Sequence, residues 1–454
     1  MAALALMTAA CSNDDNDLTT PQPQKAEGIT ITAQLAPKTG GATTRAVSED
    51  AVNNKIVAEW AENEHIAILY EVSSTKYVAD ATITAVDGSG AATITFTVEA
   101  GTPDNTACTL VYPYTAAKDD HTGVKDASTL LAAQDGTLNA NLDVRVGAGT
   151  IRTTTPGLDV TTQPAAQFAI FKFTLSGPSI DATHPLVIKD TASNTTITTV
   201  TPASTATSVF VAMPAAASTT YKFVVITADN KYIKSGTATI EAGKYYRTPL
   251  TLEPRYPLDL RSATAEWDLG AVACSDGNLY MEKNAAPSGK TAVGIVGKVT
   301  ETGHGLILAL QDASNQTWDT INGWTSVTTY AGTTLKLLPD DAAHGSLTSY
   351  FWLTRSLSDL IPVSNWCVAQ KSDYEAIFTN LGSTTYLNGM TYDDNVEAYI
   401  TTGVGGTAMD DSYWSATEYE YDNLCAWFFC RGYWVGRTSG VKSNSCSVRP
   451  VLGF

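Results

Sequence analysis

Between residues 46 and 253 the chain reads as short strands separated by Gly, Pro and Asp, and that punctuation limits its fold more than any other feature. "HIAILYEV" (65–72), "ATITAV" (81–86), "ATITFTVEA" (92–100) and "CTLVYPY" (108–114) follow one another closely, with "DGSG" as a turn between the second and third. "FAIFKFTL", "PLVIKD", "TTITTV", "SVFVAMP", "YKFVVITA" and "TATIEAGKYYRTPLTL" come later, again cut by Gly, Pro and Asp. Strands at this spacing, with no long helical period among them, predict two successive β-sandwiches. The break is expected near 150–165, around "TTTPGLDVTTQPAAQ". Charged residues make up only 16% of the chain, against an ordinary figure of about 25%. Thr, Ala, Ser and Gly take up the difference, which suits extended structure with uncharged, solvated faces.

At 454 residues the chain is long enough for about three domains, each with its own core. A formal charge of −18 speaks against nucleic acid and anionic membrane surfaces, which both reward Lys and Arg. No 18-residue apolar run is present, so no helix spans a bilayer. The start, "LALMTAACSNDD", is a short apolar segment, then small residues, then Cys11, then a polar, acidic stretch. It resembles a bacterial lipobox with Cys11 as the lipidated residue, which implies export and a lipid-anchored precursor. The usual basic leader residues are missing from it.

Residues 28–50 contain a conflict. Ile29 and Ile31 alternate with Thr30 and Thr32, and Leu35 continues the pattern of a half-buried strand. A Pro/Gly/Thr-rich stretch without apolar period follows directly, and Arg45 is the one arginine in it. Most arginines in such stretches are plain solvated loop residues. A strand on so cuttable a tether also reads as a strand meant to be removed.

Past the Pro-containing "EPRYPLDL" (253–260) the composition changes: Trp becomes common and helical patterns appear. In "SDYEAIFTNLG", Ser372 and Glu375 have the spacing of a capping box, Tyr374, Ile377, Phe378 and Leu381 form one apolar face, and Gly382 closes the helix. A second short helix is expected from Asp393 or Asp394, burying Val396, Tyr399 and Ile400. The segment 261–454 therefore reads as an α+β domain.

Two family resemblances follow from these residues. Residues 11–253 resemble the fimbrillin superfamily of Gram-negative anaerobes. The resemblance is carried by the lipobox, the linker ending "TTR-AVSED", "AEWAENEHIAILYEV", "CTLVYPY" and "GKYYRTPLTL", in that order. It implies tandem transthyretin-like β-sandwiches and a surface lipoprotein cut by an Arg-specific protease. The cut would fall after Arg45, leaving Ala46 as the new terminus and removing the strand that holds Ile29, Ile31 and Leu35. Residues 261–454 resemble the Fibrobacter-type paralogous domains, distant relatives of the formylglycine-generating-enzyme and C-type-lectin-like folds. That resemblance rests on "CSDGNLYMEKNAAPSGKTAVGIVGKV", "GHGLILALQDASNQTW", "WCVAQKSDYEAIF", "YWSATEYEYDNLCAWFF" and "KSNSCSVRPVLGF". Taken together the expectation is a mainly β chain. Its parts are a lipoprotein signal (1–11), a propeptide with a removable strand (12–45), β-sandwiches (46–160 and 161–253), a linker (254–260) and an α+β lectin-like adhesin domain (261–454).

For chemistry the sequence offers little. None of His65, His121, His184, His304 and His344 has metal-ligand spacing, no phosphate-binding loop is present, and Cys425 and Cys430 lack a redox motif around them. No enzyme activity, metal or cofactor is expected. The tail "DDSYWSATEYEYDNLCAWFFCRGYWVGR" mixes aromatic rings with carboxylates and amides, as a sugar-binding platform requires. Trp414 and Trp427 read as core. Glu418, Tyr421, Asn423, Arg431, Tyr433 and Trp434 are the candidate ligand-binding residues. The calcium motifs of sugar-binding C-type lectins are absent; Asp393, Asp394, Asp410 and Asp411 can chelate Ca²⁺, but such pairs more often cap helices or face water.

The resulting expectation is a fimbrial tip subunit. Its partners would be other fimbrial subunits joined by β-strand addition, the Arg-specific protease, and a host or microbial surface ligand such as a glycan. It would reside on the cell-surface fimbrium, with an outer-membrane lipoprotein as precursor. The rival expectations are an uncleaved glycan-binding surface lipoprotein and an oxidase-like enzyme.

Overall fold

A computed structural model of the protein describes residues 28–38, 47–50, 52, 55–317, 329–330, 333–334, 336–337, 366–383, 391–392, 394–410, 412–418, 425–431, 439–441 and 443–454. The chain is mainly β. It forms two compact units: the described residues up to Lys222 with Ser235–Leu250, and Phe223–Lys234 with Thr251–Phe454.

The first unit opens with β1 (Ile29–Leu35), the hairpin of β2 (Val47–Asp50) and β3 (Lys55–Ala58), then β4 (His65–Val72), β5 (Thr75–Val86), β6 (Ala92–Val98) and β7 (Thr106–Tyr112). A two-residue β8 (Ala133–Gln134), β9 (Arg145–Arg152) and β10 (Gly157–Ala166) follow. Seven of these make one antiparallel sheet in the order β1-β6-β5-β4-β7-β9-β10. One face is the core that holds Ile31, Leu35, Ile66, Ile68, Ile94 and Leu110, all fully buried. Ala67, Leu69 and Val111 point the other way, into a second cluster with Phe168 and Ile170. β4 is thus covered on both faces, which explains the unbroken apolar run of "IAILY".

The break expected near 150–165 falls largely on β10 (Gly157–Ala166), itself the last strand of this sheet, and the next sheet begins at Phe168. Its Thr-rich character and Pro164 suit an edge strand, where one row of backbone groups has no ladder to make. Beyond it, β11 (Phe168–Ser176), β12 (Leu186–Asp190), β13 (Thr196–Val200), β14 (Ser208–Pro214), β15 (Ala216–Ile226), β16 (Lys231–Ile240) and β17 (Tyr245–Thr251) build two further layers. β11 lies between β14 and β17, and the facing sheet runs β16-β15-β12-β13-β8. A buried amide joins these layers. Gln134 Nε2 donates to Thr198 Oγ1 (3.1 Å) and the Ala212 carbonyl (2.9 Å), and its oxygen accepts from Ala212 N–H (2.8 Å).

In the second unit, "EPRYPLDL" is not a plain linker. Tyr256 and Leu260 are buried, Asn230 bonds the Tyr256 backbone twice, and the Arg255 guanidinium clamps the buried Asp268. The main sheet takes the order Leu258–Asp259, Asn278–Tyr280, Val272–Cys274, Ala292–Glu301, His304–Ala309, Val451–Gly453, Cys367–Val368, Lys336–Leu337. Helices Lys371–Asn380 and Asp394–Thr401 bury Tyr374, Ile377 and Phe378, and Val396 and Ile400, as expected from sequence, while Tyr399, expected with them, is half-buried. Ser372 is not the N-cap: the helix starts at Lys371 with Gln370 as cap, because the Lys371 N–H finds the Thr417 hydroxyl at 2.9 Å. Gly382 follows at φ +88°, the left-handed end the sequence called for.

Candidate functional site

Among the described residues β1 is the outermost strand of its sheet and pairs through its backbone with β6 alone. The register is antiparallel and unbroken from Ile29 opposite Val98 to Leu35 opposite Ala92. Ile31, Ala33 and Leu35 point inward, while Thr30, Thr32 and Gln34 are exposed. On the outer face Thr30 and Thr32 stand across from Thr97 and Thr95, with hydroxyl oxygens 3.4 and 3.5 Å apart. A Cβ at Gly28 would lie 2.6 Å from Thr97 Cγ2 and 2.7 Å from the Val98 carbonyl oxygen, so the strand can begin this close to β6 only at a glycine.

The sheet curls so that β10, at its other end, comes back beside β1. Closure fails there for a local reason. β10 carries register shifts at 160–162 and 162–165 and includes Pro164, which has no N–H, so no ladder forms. A side chain spans the seam instead: the Ala36 N–H donates to Gln163 Oε1 at 3.2 Å. β1 therefore fills the core like an interior strand while its backbone is held like an edge.

Immediately after β1 the chain is pinned by its backbone and then by a buried cation. Trp60 Nε1 donates to the Ala36 carbonyl at 2.9 Å. Lys38 then turns inward, its side chain fully covered. Its ammonium sits 3.6 Å from the centroid of the Tyr112 ring and 4.2 Å from that of Trp60, two rings set edge to face. Asp143 lies 3.3 Å from it and Glu64 3.7 Å. Burial pulls the Lys38 pKa down to about 8, with Asp143 and Glu64 pulling the other way, so the group remains protonated at neutral pH. Both carboxylates are held independently. Tyr112 OH donates to Glu64 Oε1 at 2.6 Å, and Arg145 Nε bonds both oxygens of Asp143 at 2.8 and 3.0 Å.

On the far side of the linker the chain is anchored separately. Glu49 of β2 accepts from Lys172 Nζ at 2.5 Å and from Tyr245 OH at 2.8 Å, with Arg247 Nε 3.6 Å away. Burial pushes the Glu49 carboxyl up, and the bonds from Lys172 and Tyr245 outweigh it, holding the group below its ordinary value. The residues between, 39–46, include Arg45 and Ala46 and lie outside the described residues, as does Cys11.

The aromatic tail gives a different picture. Tyr421, Asn423, Tyr433 and Trp434 lie outside the described residues. Glu418 and Arg431 are strand-end positions of the paired strands Ser412–Glu418 and Cys425–Arg431. Glu418 stands opposite Ala426, five residues from Arg431, so their backbones are about 17 Å apart. Trp414 is fully buried. Trp427 is half-buried, and the Lys371 ammonium lies 3.8 Å from its ring centroid. Arg449 is fully buried and braces the core, with Nε 2.6 Å from Asp312 and further bonds to the carbonyls of Thr407 and Ala408. Burial pushes the Asp312 carboxyl up to about 6, with Arg449 opposing. Cys425 and Cys430 are five apart on one strand, hence on opposite faces, and cannot form the thiol pair that an oxidase comparison requires. Among the described residues no group of three or more His, Cys, Asp or Glu is placed to hold a metal ion.

The sequence reading missed Lys38, Trp60, Glu64, Tyr112, Asp143 and Arg145. "APK" after an alternating strand carries no linear signal, because the cage closes across sequence separations of 22 to 105 residues.

No protein-family model matches the chain. No curated protein sequence matches it either. Among solved structures, it is similar to a fimbrial protein from Bacteroides ovatus at 13% identity and a TM-score of 0.25, over 94% of this chain and 99% of that one. A candidate cell adhesion protein from Bacteroides ovatus aligns at 15% identity and a TM-score of 0.28, over 50% of this chain and 92% of that one. The minor pilin of Streptococcus agalactiae aligns at 12% identity and a TM-score of 0.21, over 50% and 96% respectively. Superpositions at this level do not by themselves define a function.

Proposed function

We propose that the protein is a pilus subunit whose first sandwich is opened by proteolysis and then completed by a strand from another chain. The observation that carries this is β1: Ile31 and Leu35 are fully buried core residues, yet among the described residues the strand has a ladder on one side only, and the Arg45 linker follows it in sequence. The precursor is exported as a lipoprotein on Cys11, and an Arg-specific protease cuts between Arg45 and Ala46. Loss of β1 then bares the β6 edge beside the pockets of Ile31, Ala33 and Leu35. An incoming strand restores both by β-augmentation. Each large apolar side chain it inserts is worth about 1.5–3 kcal/mol. Glu49 keeps the new terminus anchored while β1 leaves.

In this reading the chain is the tip subunit, and residues 451–453 are a core strand between His304–Ala309 and Cys367–Val368. The 261–454 region serves as a C-type-lectin-like adhesin domain for a surface ligand, with Glu418, Tyr421, Asn423, Arg431, Tyr433 and Trp434 as the candidate contacts. A glycan array probed with the full chain tests that part.

The polymerisation claim is tested by Arg45→Ala in cells. The substituted chain should reach the surface at normal levels and be absent from isolated fibres. Normal incorporation would leave a surface lipoprotein that is never cut as the better account.

A further inference from the structure

Resting on the replacement of β1 proposed above, we infer that the Lys38 cage is an ammonium-binding pocket that the incoming strand must fill with a lysine of its own. The pocket is built for a cation. Two aromatic faces lie 3.6 and 4.2 Å from the ammonium, and carboxylates stand at 3.3 and 3.7 Å. Tyr112 and Arg145 fix those carboxylates in place. With Lys38 in place, two cations, Lys38 and Arg145, face two anions, Glu64 and Asp143. When β1 leaves, Lys38 leaves with it, and Arg145 alone faces both carboxylates. In the open groove water can solvate the difference. Once a new strand covers the site that water is expelled, and a strand without a cation leaves one buried carboxylate unmatched.

The partner is thereby defined chemically. It is an extended segment running in the direction of β1, with a large apolar residue, a small one and a large one at alternate positions, as in Ile31, Ala33 and Leu35. A lysine follows three residues after the last of them. The apolar set fixes which face turns inward; the lysine fixes how far the strand slides before it stops, since a shift of two residues keeps the alternation but misses the cage.

The experiment uses the full chain, cut after Arg45 with an Arg-specific protease once folded, and fluorescent synthetic peptides of residues 28–38. The unmodified peptide should exchange into the cut protein. Peptides carrying Lys38→Met or Nε-acetyl-lysine at the same position should bind at least about tenfold more weakly at neutral pH, since each leaves a buried charge unpaired. That ratio should fall to about threefold or less on a chain carrying Asp143→Asn, with Glu64→Gln as the second variant should that chain fail to fold. Equal binding of the three peptides, or a ratio unmoved by both chain variants, overturns the cation pocket while leaving strand replacement intact. If not even the unmodified peptide enters, strand replacement itself fails and this inference falls with it.

Discussion

Two strands, β1 and Val451–Gly453, are held in their sheets in opposite ways. β1 delivers Ile31 and Leu35 into a core but among the described residues has a ladder on one side only, and its far edge meets a bulged, proline-bearing strand. Val451–Gly453 has a strand on each side and a buried Arg449 just before it. The first arrangement gives up backbone pairing without giving up packing; the second gives up neither. A strand of the first kind can be replaced by any chain that offers the same side chains, and one of the second kind cannot be withdrawn without opening its sheet. The difference lies in the ladders: both segments bury apolar side chains, but only Val451–Gly453 is paired on each side.

The contrast can be broken most forcefully by emptying each core. Trp414→Ala should cost about 3–5 kcal/mol and Leu35→Ala about 2–5 kcal/mol, both read by denaturant unfolding. Hydrogen exchange should separate them: Leu35→Ala should speed exchange of the β6 amides, and Trp414→Ala should leave those amides unchanged. Accelerated β6 exchange in both would mean that β1 is not an independently held element.

A smaller effect, read through pH, sharpens the contrast. The Lys38 value is about 8 in the folded chain against 10.5 ordinarily, so between those values the unfolded chain binds more protons. This group alone therefore makes stability rise as pH climbs through that window. The wild type should gain stability relative to Lys38→Met between pH 8 and 10.5. A flat difference would show that Lys38 is not buried in solution. The smallest effect belongs to Glu49→Gln, which keeps the hydrogen-bonding shape but loses the charge facing Lys172 and Arg247. It should cost about 1–2 kcal/mol. In the wild type Glu49 should lose its contribution as pH falls through its depressed value, because the folded chain takes up the proton later than the unfolded one.

Much of the fold was legible because it is local. Alternation marked β1, short apolar runs cut by Gly, Pro and Asp marked β4, β6 and β11, and the spacing of Tyr374, Ile377, Phe378 and Leu381 marked the buried face of the first helix in the second unit. What escaped depends on distant partners. Ser372 has the right neighbours for a cap, but Thr417, on a remote strand, takes the role at the helix start. "EPRYPLDL" has the prolines of a linker, yet Asn230 and Asp268 draw it into a core. Lys38 has no signal in its own stretch of sequence, and only the fold brings Trp60, Tyr112, Glu64 and Asp143 around it.

The central claim is that the first sandwich works only after its own edge strand has gone. It is tested most directly by N-terminal sequencing and intact mass of this chain in fibres purified from cells. The account predicts a chain that begins at Ala46, with no peptide from residues 28–38 retained. A fibre-bound chain that still carries Ile31 and Leu35 in place would contradict it.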